Sequence, residues 1–107
     1  MRARAIERHT RAREDVRSAL DFYLVEAGEA VALAFIEAVD TAFQHVAEMP
    51  MTGSSRLGQE VGLPGLRSWP LKRFPYHVFY FDHGDRITVW RVLHSQRDLP
   101  KTLSEPG

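Results

Sequence analysis

Residues 66–94 read LRSWPLKRFPYHVFYFDHGDRITVWRVLH, and the reading of this stretch decides the fold. Its turn formers divide it into three runs, predicting strands over Leu66–Leu71, Pro75–Asp82 and Arg86–Leu93. Aromatic and β-branched side chains crowd the last two runs, and these residue types fit a pleated, half-buried surface. His83-Gly84-Asp85 lies between them as a tight hairpin turn, which makes the pair antiparallel. In the final run Ile87 and Val89 share a face by the two-residue period, with Arg91 continuing that parity. Val92 and His94 fall on the other side with Thr88 and Trp90. Either both faces of the sheet are covered here, or a bulge near Arg91 resets the register.

Upstream, Met51–Gly65 contains Gly53, Ser54, Ser55, Gly58, Gly62, Pro64 and Gly65, a density of turn formers that predicts a loop. Before it the period changes to that of helices. Ala12, Val16, Ala19, Leu20, Tyr23 and Leu24 recur at spacings of three and four, giving an amphipathic helix that begins near Arg11. Thr10 stands at the N-cap, and Glu14 and Asp15 lie in the first turns, where carboxylates complement the helix dipole. Gly28 stops this helix. A second runs from Glu29 to Pro50 with a broader stripe of Val31, Phe35, Ile36, Val39, Phe43 and Val46, so the two form an antiparallel hairpin. Ala3–Arg8 reads as a weak strand, and the tail over 96–107, with Pro100 and Pro106, as extended or frayed.

The fold class is therefore α+β: a two-helix antiparallel hairpin packed on a small antiparallel sheet, formed by the weak N-terminal strand and a three-strand C-terminal meander. One domain is expected over 1–107, since 107 residues divided between two cores would leave each marginal. A hydrophobic share of 44% supplies that core. A hairpin of helices covers one face of such a sheet, which leaves the other face and an edge for a partner.

The formal net charge is zero, which removes global basicity as an argument for nucleic-acid binding. Arginines nevertheless cluster locally, at Arg2, Arg4, Arg8, Arg11, Arg13 and Arg17, and again in the second half of the chain. The absence of cysteine excludes disulfides, thiolate catalysis and Cys-based zinc sites. His9, His45, His77 and His83 lack metal-ligand spacing, so neither metal nor cofactor is expected. No stretch approaches the roughly 20 apolar residues of a membrane span, and the Arg-rich start lacks the apolar run of a signal peptide. A cytoplasmic protein is expected.

The order of elements and several residues together resemble the ParE/RelE toxin superfamily of type II toxin–antitoxin systems. The likeness runs along nearly the whole chain. It is carried by Ala12, Asp15 and Val16 at the start of the first helix, Tyr23 near its end, and Pro50 and Gly53 after the second. The densest match is Leu63-Pro64-Gly65-Leu66-Arg67, then Leu71, Phe74, Pro75, Tyr76, Val78 and Tyr80, closing with Val92-Leu93-His94 and Arg97-Asp98. The resemblance implies a toxin neutralised by a cognate ParD-like antitoxin in a hetero-oligomer, with DNA contact mainly through the antitoxin. The segment that wraps the toxin would trade ordering entropy for a large interface. The part of Val31, Ala32, Phe35 and Phe43 left uncovered by the sheet is the expected antitoxin contact.

Two activities occur in the superfamily: ParE-like members poison DNA gyrase, and RelE-like members cut mRNA on the ribosome. RNA cleavage by a 2′-hydroxyl needs a general base, a proton donor and cations to hold phosphate. The candidates for that chemistry are His94, whose side-chain type titrates nearest neutrality, Arg67, Arg73 and Arg91 for phosphate, and Tyr80 as donor. Each also has a structural reading: His94 as a hydrogen-bonding strand end, Arg67 as a tie between loop and sheet, Tyr80 as a packed sheet residue. Lys72 and Lys101 are the only lysines, no tyrosine follows Asp82, and the Leu-Pro-Gly-Leu-Arg and Phe-Pro-Tyr segments look more like the ParE branch. Gyrase inhibition by protein contact, without bond chemistry, is the favoured expectation, with Arg91, His94, Arg97 and Asp98 as target contacts. The ribosome is the alternative target, and an inactive binding module of the same fold is a further alternative.

Overall fold

A computed structural model describes residues 3–104; Arg2 of the basic N-terminal cluster and the last residues of the tail, 105–107, lie outside it. The elements follow in the order β1 (Ala5–Arg8), α1 (Thr10–Ala27), α2 (Glu29–Glu48), a 3-10 turn (Pro50–Thr52), α3 (Arg56–Glu60), β2 (Leu66–Pro70), β3 (Tyr76–Asp82), β4 (Arg86–His94) and α4 (Leu99–Ser104). The sheet is four-stranded in the order β1-β4-β3-β2. β2, β3 and β4 form the antiparallel meander read from the sequence. β1 departs from the expected all-antiparallel sheet, because it pairs in parallel with β4, Ala5 opposite Arg86 and Arg8 opposite Val89. A strand that reaches its neighbour only after a helical hairpin and two further strands has no tight turn to reverse it.

Gly28 joins the helices as expected. Its φ of 91° is a backbone conformation that glycine adopts without a Cβ penalty, so the chain can stop one helix and begin the next at a single residue. The cap at the start of α1 differs from expectation. His9 takes the place assigned to Thr10, its Nδ1 accepting from the Arg11 N–H at 3.2 Å.

α1 and α2 cover one face of the sheet. There Phe35, Val39, Phe43 and Val46 from α2 and Ala12 and Ala19 from α1 meet Val78, Tyr80, Ile87, Val89 and Val92. Ala32, Phe35 and Phe43, three of the expected antitoxin contacts, are buried, while Val31 is half-buried. The three buried side chains are covered in the folded chain, since the broad stripe of α2 is the face that the sheet consumes. α2 also has the length and mean hydropathy of a membrane span over Glu29–Glu48, contrary to the expectation that no stretch comes near one. Its apolar face is the core face just described.

The opposite face is not left open. Leu66, Phe79 and Leu93 lie on that side under Leu57, Val61, Leu99 and Leu103, contributed by α3, α4 and the adjoining loop. The loop expected over Met51–Gly65 thus holds a 3-10 turn and a short helix, and the tail expected to fray forms α4 with Thr102 and Leu103 buried. Local turn chemistry obscured both, since each short helix depends on apolar contacts with a distant strand.

Both readings of the parity break near Arg91 hold together. The sheet is covered on two faces, and the register shifts: Phe79 opposes Arg91 whereas Tyr80 opposes Val89, leaving Trp90 as the extra, unpaired residue. This bulge returns Val92 to the side of Val89 beneath the helices.

Candidate functional site

β1 accompanies β4 only as far as Val89, so beyond the bulge β4 has α1 rather than a strand along that edge. Asp15 on α1 takes the strand's role. Its carboxylate accepts from the Val92 backbone N–H at 3.0 Å and from the Arg91 guanidinium at 2.8 Å and 3.0 Å. One side chain thereby satisfies an edge amide that a neighbouring strand would otherwise bind and neutralises a buried cation. Arg91, expected at the target surface, is turned inward and buried.

Above this junction α1 and β4 enclose an open groove of about 320 Å³, lined by Ser18, Ala19 and Phe22 on one side and Tyr76, His94 and Arg97 on the other. The His94 ring meets Tyr76 edge-on at 5.1 Å between centroids. Its Nδ1 accepts from the Gln96 N–H at 3.1 Å, which leaves the ring proton of the neutral imidazole on Nε2. Burial pushes the Tyr76 hydroxyl up from its ordinary value, with Tyr23 adding to the rise and the nearby Arg97 guanidinium opposing it. The phenol therefore stays protonated, and a hydrogen-bond donor, at neutral pH. Arg97 is exposed, as is Asp98, whose carboxylate accepts from the Lys101 N–H at the start of α4.

The remaining candidates for RNA chemistry do not gather here. Tyr80 is fully buried, and its hydroxyl donates to the Pro50 carbonyl. The burial raises the pKa of this phenol. Arg67 donates to the Gly53 carbonyl at 2.7 Å, the structural tie that was its alternative reading. A Cβ at Gly53 would run into the Tyr80 hydroxyl, so glycine is what lets this turn close on the sheet. Arg73 stands in the turn between β2 and β3, beside a separate groove between α2 and β2 where His45 stacks on Trp69 at 3.8 Å. Of the expected site residues, the groove thus unites His94 and Arg97. It adds Ser18, Phe22 and Tyr76, which sequence reasoning missed; the two on α1 share a face with Asp15 by helical spacing, the one available signal. Among the described residues no three His, Asp or Glu side chains gather as a metal site.

Comparison with known proteins adds a family. Residues 6–99 match the model described as the ParE toxin of type II toxin–antitoxin system, parDE. No curated protein matches. Among solved structures the chain is similar to one titled "Chromosomal ParDE TA system from P. aeruginosa", with a TM-score of 0.73 and 20% identity, over 88% of this chain and 98% of that one. At that identity the likeness is one of fold: two helices on a four-stranded mixed sheet.

Proposed function

Because the chain belongs to the ParE toxin family of type II toxin–antitoxin systems, we propose that it arrests growth by contacting DNA gyrase, and that a cognate ParD-type antitoxin holds it inactive. The observation that carries the first part is the dispersal of the groups that RNA cleavage would need. A buried Tyr80 hydroxyl committed to Pro50, an Arg67 tied to Gly53 and an Arg91 paired with Asp15 are unavailable for RNA chemistry. Among the groove's lining residues His94 therefore has Arg97 as its single cation beside the Tyr76 hydroxyl, short of the cation cluster that holds phosphate in a nuclease. What the surface offers instead is a contact patch along the free end of β4, with His94 and Arg97 in the groove, Asp98 just beyond it, and Phe22 on the facing helix. In this reading Arg91 positions β4 from within and does not touch the target.

Antitoxin binding draws on a different surface from the one expected from the sequence. Phe22, Leu24, Val25 and Leu33 are exposed around the Gly28 joint, and Met49 and Met51 beyond the end of α2. An amphipathic segment that covers these side chains would remove apolar area from water. Domain organisation accords with a single toxin unit, since both apolar clusters share the strands of one sheet.

Controlled expression with DNA, RNA and protein synthesis followed separately, beside a supercoiling assay with purified gyrase, tests the proposal. Failed supercoiling and accumulating DNA breaks with intact transcripts are expected. Translation arrest with cut transcripts would overturn the gyrase assignment in favour of the ribosome, and unimpaired growth would reduce the chain to a binding module.

A further inference from the structure

In the groove between α1 and β4 the only carboxylate among the lining residues, Asp15, is already taken up by Arg91 and the Val92 N–H. The polar side-chain groups that remain can each donate a hydrogen bond: the Arg97 guanidinium, Nε2 of His94, and the hydroxyls of Tyr76 and Ser18, which can also accept. Phe22, 56% exposed, supplies an apolar wall beside them. A guanidinium and three further groups able to donate, around a cleft of about 320 Å³ whose one lining carboxylate is committed, suit an anion.

We propose that this groove receives one carboxylate, the Asp or Glu side chain of an antitoxin segment whose neighbouring apolar residue rests on Phe22. The inference rests on the reading that an antitoxin binds this chain. A single arginine beside hydroxyl and ring N–H donors matches a monovalent carboxylate better than a nucleic-acid backbone, which takes several cations in a row. The next carboxylate along the chain, Asp98, would repel a second anionic charge. The apolar wall suits a peptide, which presents hydrophobic and acidic residues together. Arg97 is the specificity determinant, because a planar guanidinium pairs with carboxylate oxygens two at a time.

The test is an NMR titration of the isotopically labelled full chain with the peptide acetyl-Leu-Glu-Leu-amide. The matched Leu-Gln-Leu peptide, inorganic phosphate and a short DNA duplex are run beside it. The glutamate peptide is expected to move the Arg97 Nε–H, the His94 ring and the Ser18 amide, and to bind at least about ten-fold more tightly than its glutamine counterpart. R97Q should remove that difference, whereas R56Q, a change at an exposed arginine of α3, should leave it. In the purified toxin–antitoxin complex the Arg97 Nε–H should move in the same direction. Equal binding of the two peptides, preference for phosphate or DNA, an unaltered R97Q titration, or an unmoved Arg97 resonance in the complex would each overturn the proposal. Neither gyrase nor growth arrest enters these readouts, so a failure here is distinct from a failure of the gyrase assignment.

Discussion

Asp15 does at one position what a whole strand would otherwise do. It holds Arg91 and the Val92 amide together where the side chains of the ion pair are only 11% and 6% exposed. Replacing a buried pair by apolar groups can be neutral, but removing one member strands the other in a desolvated site. D15A is therefore expected to lower the unfolding free energy by about 3–5 kcal/mol, read from urea titration, and D15N, which keeps an acceptor for Val92, by less. A loss under about 1 kcal/mol would mean that water screens the pair. His77 offers a second test at this scale. Burial pushes its imidazole below the ordinary value of 6.5, so as pH falls the unfolded chain takes up the proton first. Its contribution is complete above that value and is lost as pH drops from 6.5 towards the lower folded value. Urea midpoints measured across this range should fall less steeply for H77Q than for the parent chain; parallel curves would remove His77 from the account.

Among the elements, α4 carries the clearest consequence. At six residues it is too short to persist alone, and it stays helical because Leu103, 2% exposed, enters the cluster formed by Leu66, Phe79 and Leu93. L103A should cost about 2–5 kcal/mol, with amide exchange over Leu99–Ser104 rising before the rest of the sheet opens. If truncating Leu103 changed stability by only a few tenths, α4 would be a frayed end. The bulge at Trp90 belongs to this scale too. The extra residue puts Val92 and His94 on the helix-covered side, where Val92 meets Asp15 through its amide and His94 reaches the groove.

At the scale of the molecule, apolar exposure is uneven. Val25 at 81% and Leu33 at 59% lie on either side of the Gly28 joint, with Phe22 close by. Such a patch at one end of a small protein favours association. Light scattering of the chain without antitoxin should show concentration-dependent growth in mass, which the double change V25E and L33E reduces. A monodisperse parent chain at the highest concentrations would refute this. The same patch, and the groove a short way along α1, then provide an antitoxin with neighbouring apolar and cationic contacts.

The sequence by itself determined the helical hairpin broken at Gly28 and the three-strand meander, because helical period, strand period and turn residues are local properties. The family was legible only as a resemblance carried by particular residues such as Leu63-Pro64-Gly65-Leu66-Arg67. It also marked the parity break at Arg91, since a two-residue period that fails within one strand is visible without coordinates. Tertiary structure alone decided that β1 runs parallel to β4 and that the sheet is covered on its second face by α3 and α4. It likewise decided that Arg91, Arg67 and Tyr80 are consumed by internal partners, while His94 and Arg97 meet Phe22 and Tyr76 in a groove. Those outcomes depend on contacts between residues far apart in the chain, such as Asp15 with Arg91 and Tyr80 with Pro50. An arginine that binds a target and one that seals a core have the same local signature, and only the partner brought to it by folding tells them apart.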